Sequence, residues 1–141
     1  MTKKNIAPPS LVPPRGFAHG VLTSGGTTLW LGGQDASDAQ GKIIPGGLVA
    51  QMNRVLHNIQ AVVHEAGGQM TDIVKLTIFV ADRDDYLAHR RELRGVWETY
   101  FGDYYPALAL FQVSAFFQSE ALIEIEGFAV IPARTRTKSA E

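Results

Sequence analysis

Residues 48–68 read LVAQMNRVLHNIQAVVHEAGG. Apolar side chains recur there at three- and four-residue spacing: Leu48, Val49, Met52, Val55, Leu56, Ile59, Val62, Val63 and Ala66. That spacing marks one face of an α-helix, with Gln51, Arg54, Asn58 and Glu65 outside the stripe. Gly67-Gly68 ends it, since glycine accepts the left-handed cap. A helix with a single apolar stripe must bury it against a sheet or another helix.

Upstream, Phe17–Thr23 and Thr28–Gly33 are short strand-like runs joined by Ser24-Gly25-Gly26-Thr27, which predicts a hairpin. Residues 35–47 read as a polar loop. Pro8, Pro9, Pro13 and Pro14 make residues 1–14 an extended N-terminal arm. Downstream, Ile73–Val80 is rich in β-branched residues and reads as a strand. Asp82 is placed to cap a second helix over Arg83–Phe101, with Tyr86, Leu93, Val96, Trp97, Tyr100 and Phe101 on its apolar face. Gly102 stops that helix. Strands over Ala107–Phe117 and Ala121–Ile131 follow, bracketed by Pro106 and Pro132. Residues 133–141 read as a flexible tail.

The order β-β-α-β-α-β-β predicts an α+β single domain over residues 15–132. It has a six-stranded sheet, counting hairpin and edge strands, and two helices on one face. One strand is apolar on both sides: Leu108 and Leu110 point one way, Phe111, Val113 and Ala115 the other. Two helices cover only one face of a sheet. The second face predicts a homo-oligomer.

At 141 residues the chain is one domain, and 45% hydrophobic with 19% charged residues excludes a disordered chain or a coiled coil. Thirteen basic and fourteen acidic side chains leave a net charge of -1, which gives no footprint for nucleic acid or anionic membrane. The apolar runs fall far short of the ~20 residues that span a bilayer, and no signal peptide is read behind Lys3 and Lys4. Zero cysteines exclude disulfides, a thiol nucleophile and thiolate metal ligands. The expected compartment is the cytoplasm.

His57 and His64 lie seven residues apart, about 10 Å along a helix, too far to share a metal. His19 and His89 read as structural. No metal or cofactor site is expected. Gly32-Gly33 and Gly46-Gly47 make no phosphate loop, though backbone N–H groups at Gly32 and Gly33 are free of side-chain shielding. Glu124 and Glu126 alternate with Ile123 and Ile125, so both face one side of a strand, where a carboxylate can place or activate water. Arg90 and Arg94 share one helical face beside Trp97, at the margin of the apolar stripe. There an arginine needs a partner: Glu92, Glu98, an acidic group of another subunit, or a ligand carboxylate.

Taken together, these residues resemble the Rid family (reactive intermediate deaminases, also called YjgF-like or L-PSP proteins). The matching pieces are Arg15-Gly16-Phe17, Leu31-Gly32-Gly33-Gln34, Gln51 with Asn58, Ala66-Gly67, Asp72–Val80, Tyr105-Pro106-Ala107 and Ile123-Glu124-Ile125-Glu126. Their order and spacing cover roughly residues 15–132. The resemblance implies a chorismate-mutase-like fold and a homotrimer whose three sheets form a central barrel. A small-molecule ligand would occupy clefts between subunits. Deaminase members hydrolyse imines and enamines without metal or cofactor. In them an arginine after the Pro-Ala pair holds the substrate carboxylate, and a glutamate in the last strand helps place water.

The glutamate is Glu124 here. The arginine position is Leu108, the serine of the Ser-Gly-Gln motif is Gly32, the usual tyrosine is Phe17, and a frequent cysteine is Leu110. These departures imply a more apolar pocket without the usual anion anchor, for which Arg90 or Arg94 is the replacement to test. The expected function is a cofactor-free hydrolase or deaminase of a small imine or enamine with an apolar part. Glu124 would place the water, Gly32 and Gly33 would line the site, and Phe17, Leu108 and Leu110 would bind the apolar part. The alternative is a non-catalytic trimeric small-molecule-binding protein. The neutral charge opposes the ribonuclease activity attached to the family's older name.

Overall fold

A computed structural model describes residues 1–133. Six strands and three helices appear in the order β1 (Thr2–Ile6), β2 (Gly20–Ser24), β3 (Thr27–Gln34), α1 (Leu48–Glu65), β4 (Ile73–Val80), α2 (Arg83–Ala88), α3 (Arg90–Phe101), β5 (Ala107–Gln112) and β6 (Ile123–Ile131). The architecture is α+β, as the element order predicts.

The strands divide into two sheets. β1 pairs antiparallel with β2, and a four-stranded sheet runs β3-β6-β4-β5. The predicted single six-stranded sheet and its first hairpin are therefore corrected. Gly25 and Gly26, with φ of 72° and 75°, do reverse the chain. But β2 is taken by the arm, from Thr2↔Ser24 to Ile6↔Gly20, while β3 runs along β6. The arm thus supplies a strand of its own ahead of its prolines. Lys3 anchors it from the side, donating to the Thr71 carbonyl and lying 4.4 Å over the Tyr104 ring.

α1 starts and ends within a residue of the predicted bounds and packs on β3, β6 and α3. Its stripe, Leu48, Met52, Val55, Leu56, Ile59 and Val63, is buried. The predicted continuous second helix is two helices. His89, at φ -112° and ψ 19°, closes α2 and opens α3, and its ring nitrogen Nδ1 sits 3.0 Å from the Asp85 carboxylate. Asp82 caps α2, accepting from the Asp84 and Asp85 amides at 2.8 and 3.3 Å. Leu93, Trp97 and Phe101 bury one side of α3.

β5 stops at Gln112, five residues short of the predicted end, because its partner β4 ends at Val80. Val113 and Ala115 are thus outside the strand. Apart from Ala133, the expected tail lies outside the described residues. Among the described residues no helix is long and apolar enough to cross a membrane.

Candidate functional site

Register decides which side chains share a face. Leu76, Ile78 and Val80 of β4 lie opposite Gly127, Ile125 and Ile123 of β6, and these β4 residues and isoleucines are buried under the helices. The intervening residues of both strands face the other way. Thr77 lies opposite Glu126, and Phe79 opposite Glu124. Glu124 and Glu126 therefore share the face that no described helix covers, as their alternation predicts.

Beside Glu124 the β3–β6 ladder is irregular. Leu31 pairs with Gly127 and Gln34 with Ile125, so β3 carries one extra residue at Gly32-Gly33. A Cβ on Gly33 would lie 2.6 Å from Glu124 Oε1, whereas one on Gly32 would meet nothing within 4 Å. A side chain at position 33 would therefore push the Glu124 carboxylate aside. Burial is the main force raising the Glu124 pKa above the ordinary glutamate value, followed by the charges of Asp35 and Glu126.

Helix α1 holds the surroundings of this carboxylate through three polar side chains. Asn58 Nδ2 donates to the Asp35 and Ser37 carbonyls at 3.1 and 2.9 Å, and Arg54 Nε donates to the Ser37 carbonyl at 3.0 Å. Gln51, only 2% exposed, donates from Nε2 to the Glu120 carbonyl at 3.0 Å. Its Oε1 accepts from the Leu122 amide at 2.8 Å. It fixes the entry of β6 two residues before Glu124. The assignment of Gln51 outside the apolar stripe is corrected. Its spacing of three from Leu48 and four to Val55 places it on the buried side, and that was the available signal.

The other expected site residues lie elsewhere. β5 runs parallel to β4 with Leu108 beside Leu76 and Leu110 beside Ile78, so both leucines are on the helix-covered face, half-buried at the sheet edge. Phe17 precedes Ala18, which bridges to Ala107 and donates to the Pro106 carbonyl at 3.0 Å. Arg90 and Arg94 are exposed, correcting the expectation of a partly desolvated pair. Neither has the expected ion pair with Glu92 or Glu98 among the described residues. The breakage at His89 makes Arg90 the first residue of α3, clear of the packed turns. Arg90 is close enough to Tyr86 to oppose the burial that raises the pKa of this phenol. Tyr86 in turn neighbours Tyr105, whose ring stacks 5.4 Å from Trp97. A Cβ on Gly16 would lie 3.9 Å from the Tyr105 ring.

The residues expected to share one site therefore lie on opposite faces of the sheet: Gly32, Gly33 and Glu124 beside the open face, and Leu108 and Leu110 on the helix-covered face at the β5 edge near Phe17. Among the described residues no three His, Cys, Asp or Glu side chains gather as a metal-ligand set.

The fold and the glycine bulge beside a strand carboxylate define a class of small α+β proteins. The family model described as Endoribonuclease L-PSP matches residues 10–131, and the chain belongs to this family, which includes the Rid proteins. A 2-iminobutanoate/2-iminopropanoate deaminase of Capra hircus is 34% identical over 123 residues, 86% of this chain and 83% of that protein. A RutC family protein of Pyrococcus abyssi is 33% identical over 105 residues, covering 74% of this chain and 79% of the relative. Among solved structures, a member of the conserved Rid family from Yersinia pestis superposes with a TM-score of 0.81 at 33% identity. It covers 93% of this chain and 100% of the other.

Proposed function

We propose that the protein is a cofactor-free hydrolase that deaminates a small imine or enamine with an apolar part, in clefts between the subunits of a homotrimer. The observation that carries this reading is Glu124, held beside the Gly33 bulge on an uncovered sheet face, with its proton affinity raised. A raised pKa makes this carboxylate a better proton acceptor than an ordinary glutamate.

The reaction moves protons and water alone. Glu124 accepts a proton from water as the water oxygen bonds to the imine carbon. The proton then passes to the nitrogen of the carbinolamine. The C–N bond breaks with its electron pair on nitrogen as the carbinolamine hydroxyl gives its proton through Glu124 to that nitrogen and the C=O bond forms, and ammonia leaves, becoming ammonium by taking a proton from solvent. An enamine enters the same path after protonation at carbon. Backbone N–H groups of Gly32 and Gly33 line this half of the site.

The second half comes from another copy. Phe17, Leu108 and Leu110 of that copy bind the apolar part, and its Arg90 or Arg94 holds an acid group. Arg90 is favoured by its place beside Tyr86. Trp30, 74% exposed and 5.1 Å from Phe128, suits burial against a neighbouring subunit. With no cysteine in the chain, this reading fits the cytoplasm. The net charge of -1 and the paired carboxylates on the open face disfavour a polyanionic RNA substrate.

The test uses imines generated in situ by an amino acid oxidase, with ammonia release as the readout. Glu124→Gln is expected to slow hydrolysis about 100-fold or more with the assembly intact. Hydrolysis at the parental rate would overturn the role of Glu124. Light scattering is expected to give three times the chain mass of 15.4 kDa. Trp30→Asp is expected to dissociate the assembly and abolish turnover with it.

A further inference from the structure

Beside Glu124 the open face carries a row of aromatic side chains. Phe79 of β4 lies directly opposite Glu124 of β6 on one side and beside Phe111 of β5 on the other. The two phenyl rings stack with centroids 6.2 Å apart and planes 28° from parallel. Carboxylate, ring and ring thus follow one another across three strands, at the ~4.8 Å spacing of neighbouring strands. Phe111 is 54% exposed on the edge strand.

We propose that Phe79 and Phe111 extend the seat of the substrate's apolar part beyond Phe17, Leu108 and Leu110 of the other copy, and that this part is an aromatic ring. The proposal rests on the reading of Glu124 as the group that places water. A molecule with its C=N carbon at that carboxylate extends a substituent across the strands onto Phe79 and then Phe111. Along the strands the next row is Glu126, Thr77 and Ala109, which offers a carboxylate, a hydroxyl and a methyl instead of an aromatic surface. A flat apolar substituent therefore has one favourable direction. A ring meets a stacked phenyl pair there, while a methyl or ethyl group leaves most of that surface bare.

The row is also at the rim of the sheet. β4 ends at Val80, β5 at Gln112, and β6 begins at Ile123, each one residue beyond it. A neighbouring copy covering the middle of the face leaves this end reachable. Two carboxylates, Glu124 and Glu126, border the row, and the cores of protein interfaces are depleted in acidic side chains. The Trp30–Phe128 pair lies four residues further along β6 from Glu124, about 13 Å away. That pair is the surface suited to another copy. The substrate class is thus an imine or enamine bearing an aryl group, supplied by oxidation or elimination of an aromatic amine or amino acid. Its hydrolysis takes up one water and one solvent proton and releases ammonium and the aryl carbonyl compound.

The experiment compares 2-imino acids made in situ from phenylalanine and from alanine. Calorimetry measures binding of their keto products, phenylpyruvate and pyruvate. The parental protein is expected to favour the phenyl imine, and to bind phenylpyruvate more tightly, by roughly tenfold. Phe111→Ala is expected to erase most of that ratio, and Phe111→Tyr to retain it. A ratio unchanged in Phe111→Ala, or no preference in the parental protein, overturns the proposal. So does a fall in assembly mass on Phe111→Ala, which would make the pair an interface between copies. If neither imine is hydrolysed but phenylpyruvate binds with a Phe111-dependent preference, the aromatic seat stands and the hydrolase reading falls.

Discussion

The two faces of the four-stranded sheet are made by alternate residues of the same strands, yet they follow different rules. On the helix-covered face, Leu76, Ile78, Ile123 and Ile125 are buried beneath the helices. One residue away along those strands, Phe79, Glu124, Glu126 and Phe128 look out on a face that no described element covers, and Trp30 joins them from β3. The covered face is an ordinary apolar core. The open face mixes aromatic rings with carboxylates. The chain buries its core on one face, and the proposed chemistry belongs to the other.

The largest expected effect comes from breaking this contrast at adjacent positions. Ile125 is fully buried, and Ile125→Ala removes methylene and methyl groups from a packed site, costing about 2–5 kcal/mol. Glu126 is exposed on the opposite face, and Glu126→Ala is expected to stay within about 0.5 kcal/mol of the parent. Urea unfolding of both variants measures the difference. Similar values for the two would show that the open face is as well packed as the covered one.

Gln51 links the faces, because a polar group inside the core sets the strand that carries Glu124. Gln51→Leu keeps the apolar volume and removes both amide bonds. The Leu122 amide and the Glu120 carbonyl then lose their partner, at a cost of about 1–3 kcal/mol. Thermal unfolding reads that cost, and imine hydrolysis reads whether Glu124 has moved. A stable variant with normal turnover would show that β6 finds its register without Gln51.

Gly33→Ala separates site geometry from stability. The added methyl carbon would sit 2.6 Å from Glu124 Oε1, the far end of a flexible side chain. The carboxylate moves aside, so stability is expected to change by less than about 1 kcal/mol. Turnover is expected to fall roughly tenfold, because placement of a reacting group governs rate strongly. Equal losses in rate and stability would make the bulge a structural feature only.

What the sequence made legible follows from periodicity. The stripe of α1 and the β-branched run Ile73–Val80 each match one regular period, and their bounds agree with the structure to within a residue or so. The alternation Ile123-Glu124-Ile125-Glu126 correctly put both glutamates on one face. Pairing partners were not legible. Nothing local in Gly20–Ser24 tells that it pairs with the N-terminal arm instead of with β3. The break at His89 was hidden because Asp85 and His89 stand four apart, a spacing a continuous helix would also use. The separation of Leu108 from Glu124 by the thickness of the sheet required the parallel register of β5 on β4, which is a long-range pairing with no local signal.

The smallest expected effect concerns the titration of Glu124. Burial, then Asp35, then Glu126 push its carboxyl above the ordinary glutamate value. Between that ordinary value and the raised one, the folded chain binds more protons than the unfolded chain. Stability therefore falls as pH rises through this window, and the deficit persists above it. Below about pH 4 both states hold the proton and the deficit disappears. Glu124→Gln removes the charge at every pH. The variant is expected to melt at a slightly higher temperature than the parent at neutral pH, with the gain shrinking as pH falls through the window. Asp35→Asn is expected to reproduce part of that neutral-pH gain while Glu124 stays in place. Melting curves at neutral and acid pH test this, and a gain of equal size at both would mean that packing rather than charge separates the variants. The same substitution that raises stability is the one expected to stop hydrolysis, which is the pattern of a carboxylate retained on the open face for its chemistry.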